Sequence, residues 1–143
     1  MLIVSDIHGE PIFLERFKRS VETFQPDVIA MEMLPLGPFN PQTAHSVTHY
    51  FGPQYYDVAE ELSKHYTVIG LEKPSHRPYP ETTRGFFKNM ILRASGRLEK
   101  DWIDTLSNYK NKRILLYCGK MHAEKLQKPR FKLYSSSFDL KLE

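Results

Sequence analysis

Cysteine is nearly absent from this chain, because Cys118 is the only one among 143 residues. A single thiol cannot form an internal disulfide, which favours a reducing compartment, so we expect a cytoplasmic protein. No apolar run approaches the roughly 20 residues that a membrane-spanning helix needs. The apolar start at residues 2–4 runs straight into Asp6 and lacks the basic segment of a signal peptide. The sequence therefore predicts neither a membrane span nor a secretion signal.

A strong charge of one sign is also lacking. The formal net charge is +3 and the basic residues are spread along the chain, so charge alone does not predict nucleic-acid binding. The hydrophobic fraction of 41% and the aromatic fraction of 13% are typical of a globular protein rather than a disordered one. A chain of 143 residues is long enough to bury a core. We therefore expect a single domain over residues 1–143.

Short apolar runs alternate with amphipathic stretches along the sequence. Continuous apolar runs, typical of strands covered on both faces, lie at residues 1–5, 27–32, 67–72 and 113–119. Apolar residues at helical spacing occupy residues 13–24, 55–66, 84–109 and 120–127, the third with a break expected at Ser95-Gly96. This order predicts an α/β domain with a mainly parallel sheet of about four to six strands and helices on both faces.

Two proline-rich segments, residues 33–54 and 73–83, interrupt this pattern and are predicted to be mostly loops. Loops of such length in a small domain are usually functional. We expect residues 35–54 and 73–83 to border a cleft and to be less ordered than the strands. An antiparallel edge strand or a hairpin at residues 131–142 is expected to extend the sheet.

Ionisable residues follow the predicted strands at one end of the sheet. Asp6 and His8 follow the first strand, Glu32 ends the second, and Gly119 and His122 follow the fourth. Open parallel sheets bind ligands at the carboxyl ends of their strands, where such residues would meet. Carboxylates and imidazoles from separate strands suit a divalent metal such as Zn, Mn, Co or Fe. They suit equally a metal-free pair in which a carboxylate orients a histidine that activates water.

Each of these residues also has a purely structural interpretation. Asp6 could cap the first helix, and His122 could simply begin the last one. Glu32 lies inside a hydrophobic run, where an unpaired carboxylate would be costly, so a buried pair with an arginine is its alternative. The coincidence of the whole set favours function. We therefore expect Asp6, His8, Glu32 and His122 to converge in one pocket.

The stretches IVSDIHGEP, VIAMEML and ILLYCGKMHAEKLQKPRFKL resemble the ChaN-like proteins and the wider group that contains TraB, the Tiki proteases and the erythromycin esterases. The first motif of that group falls on Asp6 and His8, the strand-two glutamate on Glu32, and the final Gly-x-x-His on Gly119 and His122. The resemblance implies a hydrolase or, in the haem-binding ChaN branch, a haem or iron carrier with a tyrosine ligand. The sequence departs from the group in beginning Ser-Asp where Gly-Glu is usual, and in being much shorter.

The opening VSDIHGE also resembles the calcineurin-like metallophosphoesterases. Those enzymes then need Gly-Asp, Gly-Asn-His and Gly-His-x-His to complete a two-metal centre. At the comparable places this chain has Met31-Glu32, a loop containing His76, and Gly-Lys-Met-His ending at His122. Most bridging ligands would be missing, so this interpretation describes a degenerate enzyme.

Three hypotheses follow. The first is a hydrolase that acts on a small molecule or a peptide, and its catalytic or metal-binding residues are Asp6, His8, Glu32 and His122. The sequence is compatible with a monomer or an oligomer. The second is a non-catalytic haem- or iron-binding module, and the third is the degenerate phosphoesterase. Secondary candidates, for which packing or solvent exposure is the simpler interpretation, are His45, His49, Tyr50, Tyr55, Tyr56, Tyr79 and Cys118.

Overall fold

A computed structural model of the protein describes residues 1–6, 12–42, 53–73, 91, 94–128 and 141–142. The strands are β1 (Leu2–Asp6), β2 (Val28–Pro35), β3 (Gly37–Pro38), β4 (Thr67–Glu72), β5 (Ile114–Gly119) and β6 (Lys141–Leu142). The α-helices in the described ranges are α1 (Ile12–Phe24), α2 (Pro53–Ser63), α3 (Arg97–Leu106) and α4 (Lys120–Leu126), and a 3-10 turn at Ser107–Tyr109 follows α3.

The strands form one sheet in the order β3-β4-β2-β5-β1-β6. The four central strands are parallel, because β5 pairs in a parallel direction with both β1 and β2, and β2 pairs in a parallel direction with β4. Because these four strands run in the same direction, their carboxyl ends lie at the same edge of the sheet. The predicted α/β fold with a mainly parallel sheet is confirmed.

Helices pack on both faces of the sheet, as the sequence predicted. Alternate side chains of β1, β2, β4 and β5 point to opposite faces and form two separate cores. The face under α1 and α2, here called the α1/α2 face, includes Phe17, Val21, Tyr55, Leu62, Leu115 and Tyr117. The face under α3 and α4, here called the α3/α4 face, includes Leu98, Trp102, Leu106, Leu116, Ala123 and Leu126. Cys118 is buried in the second core, as expected of a small apolar residue.

The sheet differs from expectation in two places. The described part of the final segment, β6, pairs with β1 in a parallel rather than an antiparallel direction, and the rest of the expected hairpin lies outside the described residues. The segment 33–54, expected to be mostly loop, begins with strand structure, because β2 continues to Pro35 and β3 pairs antiparallel with β4. The expected lower order of residues 35–54 and 73–83 concerns mainly residues outside the described ranges.

Glycines permit two local features. The register of β2 on β4 shifts between Met31 and Pro35, which brings the Pro35 carbonyl so close to Gly70 that a Cβ there would lie 1.9 Å from it. Gly96 has a φ of 74° and separates the helical residue Ser95 from α3, which confirms the break predicted at this position. None of the helices in the described ranges is long and apolar enough to cross a membrane.

Candidate acid–base site

Glu32 lies near the carboxyl end of β2, on the α3/α4 face. Side chains alternate along a strand, and Val28 and Ala30, which precede Glu32 at spacings of two, belong to the core on that face. Only 6% of Glu32 is exposed. Its Oε2 accepts a hydrogen bond from the Gly119 N–H at 2.7 Å. This bond joins the ends of β2 and β5 and partly compensates the loss of water around the carboxylate.

His122 reaches Glu32 from the helix that follows β5. Gly119, the last residue of β5, has extended backbone angles, and α4 begins at Lys120 directly after it. This immediate turn from strand to helix places His122 in the first helical turn, with its side chain buried. The His122 Nε2 lies 3.2 Å from the Glu32 Oε1. The structure therefore brings together two of the four residues that the sequence predicted for the site.

Glu99 completes the contacts of the imidazole, and it is not among the site residues predicted from the sequence. Its Oε1 lies 2.6 Å from the His122 Nδ1 and 3.2 Å from the Lys125 Nζ. Glu99 has no exposed surface. A signal was present in the sequence, because Glu99 precedes Trp102 and Ile103 by three and four positions and so shares their face of the helix. A carboxylate on an apolar helical face predicts a buried partner.

The two carboxylates keep the imidazole protonated. Burial is the largest effect on His122 and opposes its charge, but the hydrogen bonds and charges of Glu32 and Glu99 together outweigh it and raise the pKa of His122 to about 9. Burial also acts to raise the pKa of Glu99, yet the hydrogen bond with His122 and the charges of His122 and Lys125 lower it overall. At neutral pH His122 is therefore an imidazolium that donates one N–H to each carboxylate. Glu32, Glu99, His122 and Lys125 are here called the His122 cluster.

Asp6 ends β1 beside this cluster. Its backbone pairs with Gly119 in the parallel register, and the Gly119 N–H in turn holds Glu32. The chain thus leaves β1 at the edge of the sheet where Glu32 and His122 meet. The side chain of Asp6 and the whole of His8 lie outside what the structure describes. Their convergence with Glu32 and His122 stays a prediction.

Each nitrogen of the His122 imidazole faces a carboxylate oxygen in this arrangement. A divalent metal would bind His122 only after the ring had released a proton and one of these contacts had opened. Within the described ranges, no group of three or more His, Cys, Asp or Glu side chains is arranged to hold a metal ion. A metal bound with the help of Asp6 or His8 stays a prediction.

The tyrosines considered as haem ligands divide into two groups. Tyr55 and Tyr56 are buried in α2 on the α1/α2 face, where Tyr55 stacks on Tyr117 with ring centroids 6.0 Å apart and Tyr56 tilts against Phe39 at 5.8 Å. Both therefore pack as core aromatics, on the other side of the sheet from His122. The other candidate tyrosines, Tyr50 and Tyr79, lie outside the described ranges. The candidate histidines His45, His49 and His76 also lie outside them.

Two exposed apolar side chains follow the carboxyl ends of β2 and β5. Met121, next to His122, is 63% exposed, and Leu36, directly after β2, is 43% exposed. Apolar surface around a few convergent polar groups is typical of sites for small molecules.

Compared with known proteins, the chain matches no family model, no characterised protein sequence and no solved structure.

Proposed function

We propose that this protein is a hydrolase whose acid–base pair is Glu32 and His122 at the carboxyl edge of the sheet. The observation that carries the proposal is the geometry of His122, whose two ring nitrogens contact the carboxylates of Glu32 and Glu99 and whose side chain is only 5% exposed. Buried ion pairs cost desolvation energy, and apolar residues of similar volume often stabilise a fold equally well. Titratable groups that are buried and perturbed in this way concentrate at functional sites.

Glu32 and His122 supply the two proton transfers that hydrolysis requires. Glu32, whose side chain is 7% exposed, takes a proton from the attacking water as general base. His122 gives its Nε2 proton to the leaving group as general acid. The proton on Glu32 then returns to His122 across their 3.2 Å contact, so both groups regain their starting states. Glu99 and Lys125 act through His122 and are positioning residues.

The proposal extends to Asp6 and His8, which the resemblance to the ChaN-like group implies would belong to the same site. His8 orients the attacking water and Asp6 orients His8 in this scheme. The pairing of the Asp6 backbone with Gly119 supports this assignment, because it brings the end of β1 to the cluster. We propose a small-molecule or peptide substrate, and the exposed Met121 supports one with an apolar group.

Hydrolysis of chromogenic esters, anilides and phosphate esters by the purified full chain tests the proposal. We expect turnover of at least one of these classes. Glu32→Gln and His122→Asn should each lower kcat/KM by about 10²–10⁴-fold, the usual contribution of an acid–base group. Glu61→Gln and His65→Asn make the same chemical changes at exposed positions and should leave activity unchanged. Circular dichroism checks that each variant is folded.

Metal analysis and an absorption scan separate this mechanism from the alternatives. With Glu32 and His122 as the acid–base pair, activity should survive dialysis against a chelator. Loss of activity on chelation with recovery on adding Zn²⁺ would replace the pair with a metal-activated water. A Soret band on haem addition, with no hydrolysis of any substrate class, would favour the haem-binding module. Full activity in both Glu32→Gln and His122→Asn would refute the proposed pair.

A further inference from the structure

Two buried polar atoms beside His122 have no hydrogen-bond partner in the part of the chain that the structure describes. They are the Oε2 of Glu99 and the indole Nε1 of Trp102. Neither side chain has any exposed surface. The other oxygen of the same carboxylate is already engaged by His122 and Lys125. Buried polar atoms in native proteins are almost always satisfied, often by a bound water, so this pair of atoms requires an explanation.

The side chains that carry the two atoms both lie against His122. Glu99 and Trp102 are three residues apart on α3 and therefore lie on one face of that helix. Both side chains also contact one imidazole. Glu99 meets the His122 Nδ1 at 2.6 Å, and the Trp102 and His122 ring centroids are 4.9 Å apart with the ring planes at 52°. An occupant bound to both atoms would therefore lie beside His122.

The chemistry of the two atoms selects the occupant. The indole N–H can only donate a hydrogen bond, and the ionised carboxylate can only accept one. A metal cation cannot accept from the N–H, and an anion would be repelled by the carboxylate. The occupant must accept from Trp102 and donate to Glu99, which a hydroxyl group or a water molecule can do. Because both side chains are fully buried, the occupant is small and enclosed.

We propose that a single water molecule is bound between the Trp102 Nε1 and the Glu99 Oε2. The water accepts a hydrogen bond from the indole and donates one to the carboxylate, so both oxygens of Glu99 are held and Oε1 stays directed at His122. A buried water with two or more protein partners is a constant part of a structure. This site rests on the packing of α3 against α4 and on no catalytic step, so it stands independently of the proposed hydrolysis.

Nuclear magnetic resonance of the ¹⁵N-labelled full chain tests the site in solution. Trp102 is the only tryptophan, so the indole region contains one cross-peak whose assignment is certain. We expect cross-relaxation between the indole proton and water. Its sign should be opposite in the laboratory-frame and rotating-frame experiments, which is the result for a long-lived bound water. Absence of cross-relaxation with water, or chemical exchange alone, would overturn the proposal.

A crystal structure provides the second measurement. In the unmodified protein we expect a solvent peak about 2.7–3.2 Å from both the Trp102 Nε1 and the Glu99 Oε2. Trp102→Phe keeps an aromatic ring but removes the donor, so the peak should disappear or lose occupancy. A direct hydrogen bond between the indole and Glu99, or no peak in the unmodified protein, would overturn the proposal. The presence or absence of this peak in the unmodified protein tests the proposal even if Trp102→Phe does not fold.

Discussion

The two faces of the sheet are built on the same strands but bury different chemistry. On the α1/α2 face, aromatic and aliphatic side chains fill the core, as in the contact of Phe17 with Tyr117 at a centroid distance of 5.2 Å. An ion pair that joins α1 and α2, Lys18 with Glu61, lies at the outer surface with side chains 45% and 60% exposed. Among the described residues of this face, the charged side chains lie at the surface and the core is mostly apolar, as hydrophobic burial predicts.

The α3/α4 face combines an apolar core with charged groups inside it. Glu99 is fully buried, and only 5% of the His122 side chain and 7% of the Glu32 side chain are exposed. The α1/α2 face demonstrates that this sequence can cover its strands with apolar residues. The buried charges at the strand ends are therefore not required to close the core, which favours a role in chemistry over a role in folding.

The largest expected effect is the loss of unfolding free energy when Glu99 is removed, and the pH dependence of this loss should differ between the two faces. Glu99→Ala leaves the His122 imidazolium with an incomplete set of partners, and removing one member of a buried ion pair typically costs about 3–5 kcal/mol of unfolding free energy. Leu115→Ala on the α1/α2 face should cost about 2–5 kcal/mol by leaving a cavity. Urea unfolding at pH 6 and pH 10 distinguishes them: the loss in Glu99→Ala should shrink at pH 10, where His122 is neutral, and the loss in Leu115→Ala should not. Equal losses in Glu99→Ala at both pH values would contradict the assigned charge state.

The unmodified protein should lose stability in alkaline solution. The pKa of His122 is raised from 6.5 to about 9, so the folded state binds a proton that the unfolded state has released between these values. The stabilisation is complete below pH 6.5 and lost as pH rises through 9, up to about 3 kcal/mol from the size of the shift. Glu99, whose pKa is lowered, contributes stability above its ordinary value of 4.5 that is lost as the solution becomes more acidic. Thermal unfolding from pH 5 to pH 10 measures both limbs, and His122→Asn should flatten the alkaline limb while the exposed His65→Asn should not.

The contact between Trp102 and His122 gives an optical test of the same charge. The rings lie 4.9 Å apart, and Trp102 is the only tryptophan of the chain. A cation close to an indole ring interacts with its π-electrons, so loss of the His122 proton should change the tryptophan emission. We expect an intensity change with a midpoint near pH 9 that is absent in His122→Gln. A midpoint near 6.5 would show that the carboxylates do not hold the proton.

Much of the fold was predictable because buried parallel strands have a direct signature in sequence. A strand covered on both faces is a continuous apolar run, and the runs at β1, β2, β4 and β5 were identified for that reason. Glu32 and His122 were recognisable as ionisable residues at the ends of two such runs. The direction of β6 was not predictable in the same way, because it depends on pairing with β1 at the far end of the chain.

There is a physical reason why Glu99 could not be predicted as a member of the cluster. Glu99 lies in the charged stretch RLEKD, where an acidic residue normally faces solvent. Only its spacing to Trp102 and Ile103 indicates that it points inward, and its partner His122 lies 23 residues further along the chain. Helical periodicity can place a residue on a face, but it cannot identify the partner from another element that makes burial of its charge tolerable.

The smallest expected effect comes from the same chemical change on the α1/α2 side. Glu61→Gln removes one charge of the exposed pair with Lys18, and such pairs contribute less than about 1 kcal/mol, because water screens the attraction and ordering two long side chains costs entropy. The residual loss should vanish in 1 M salt, where screening acts over about 3 Å. Glu99→Gln should lower the unfolding free energy several times more, and salt should change that loss little because the cluster is buried. Equal and equally salt-sensitive losses in the two variants would mean that the cluster behaves as a surface ion pair, and the distinction between the two faces would fail.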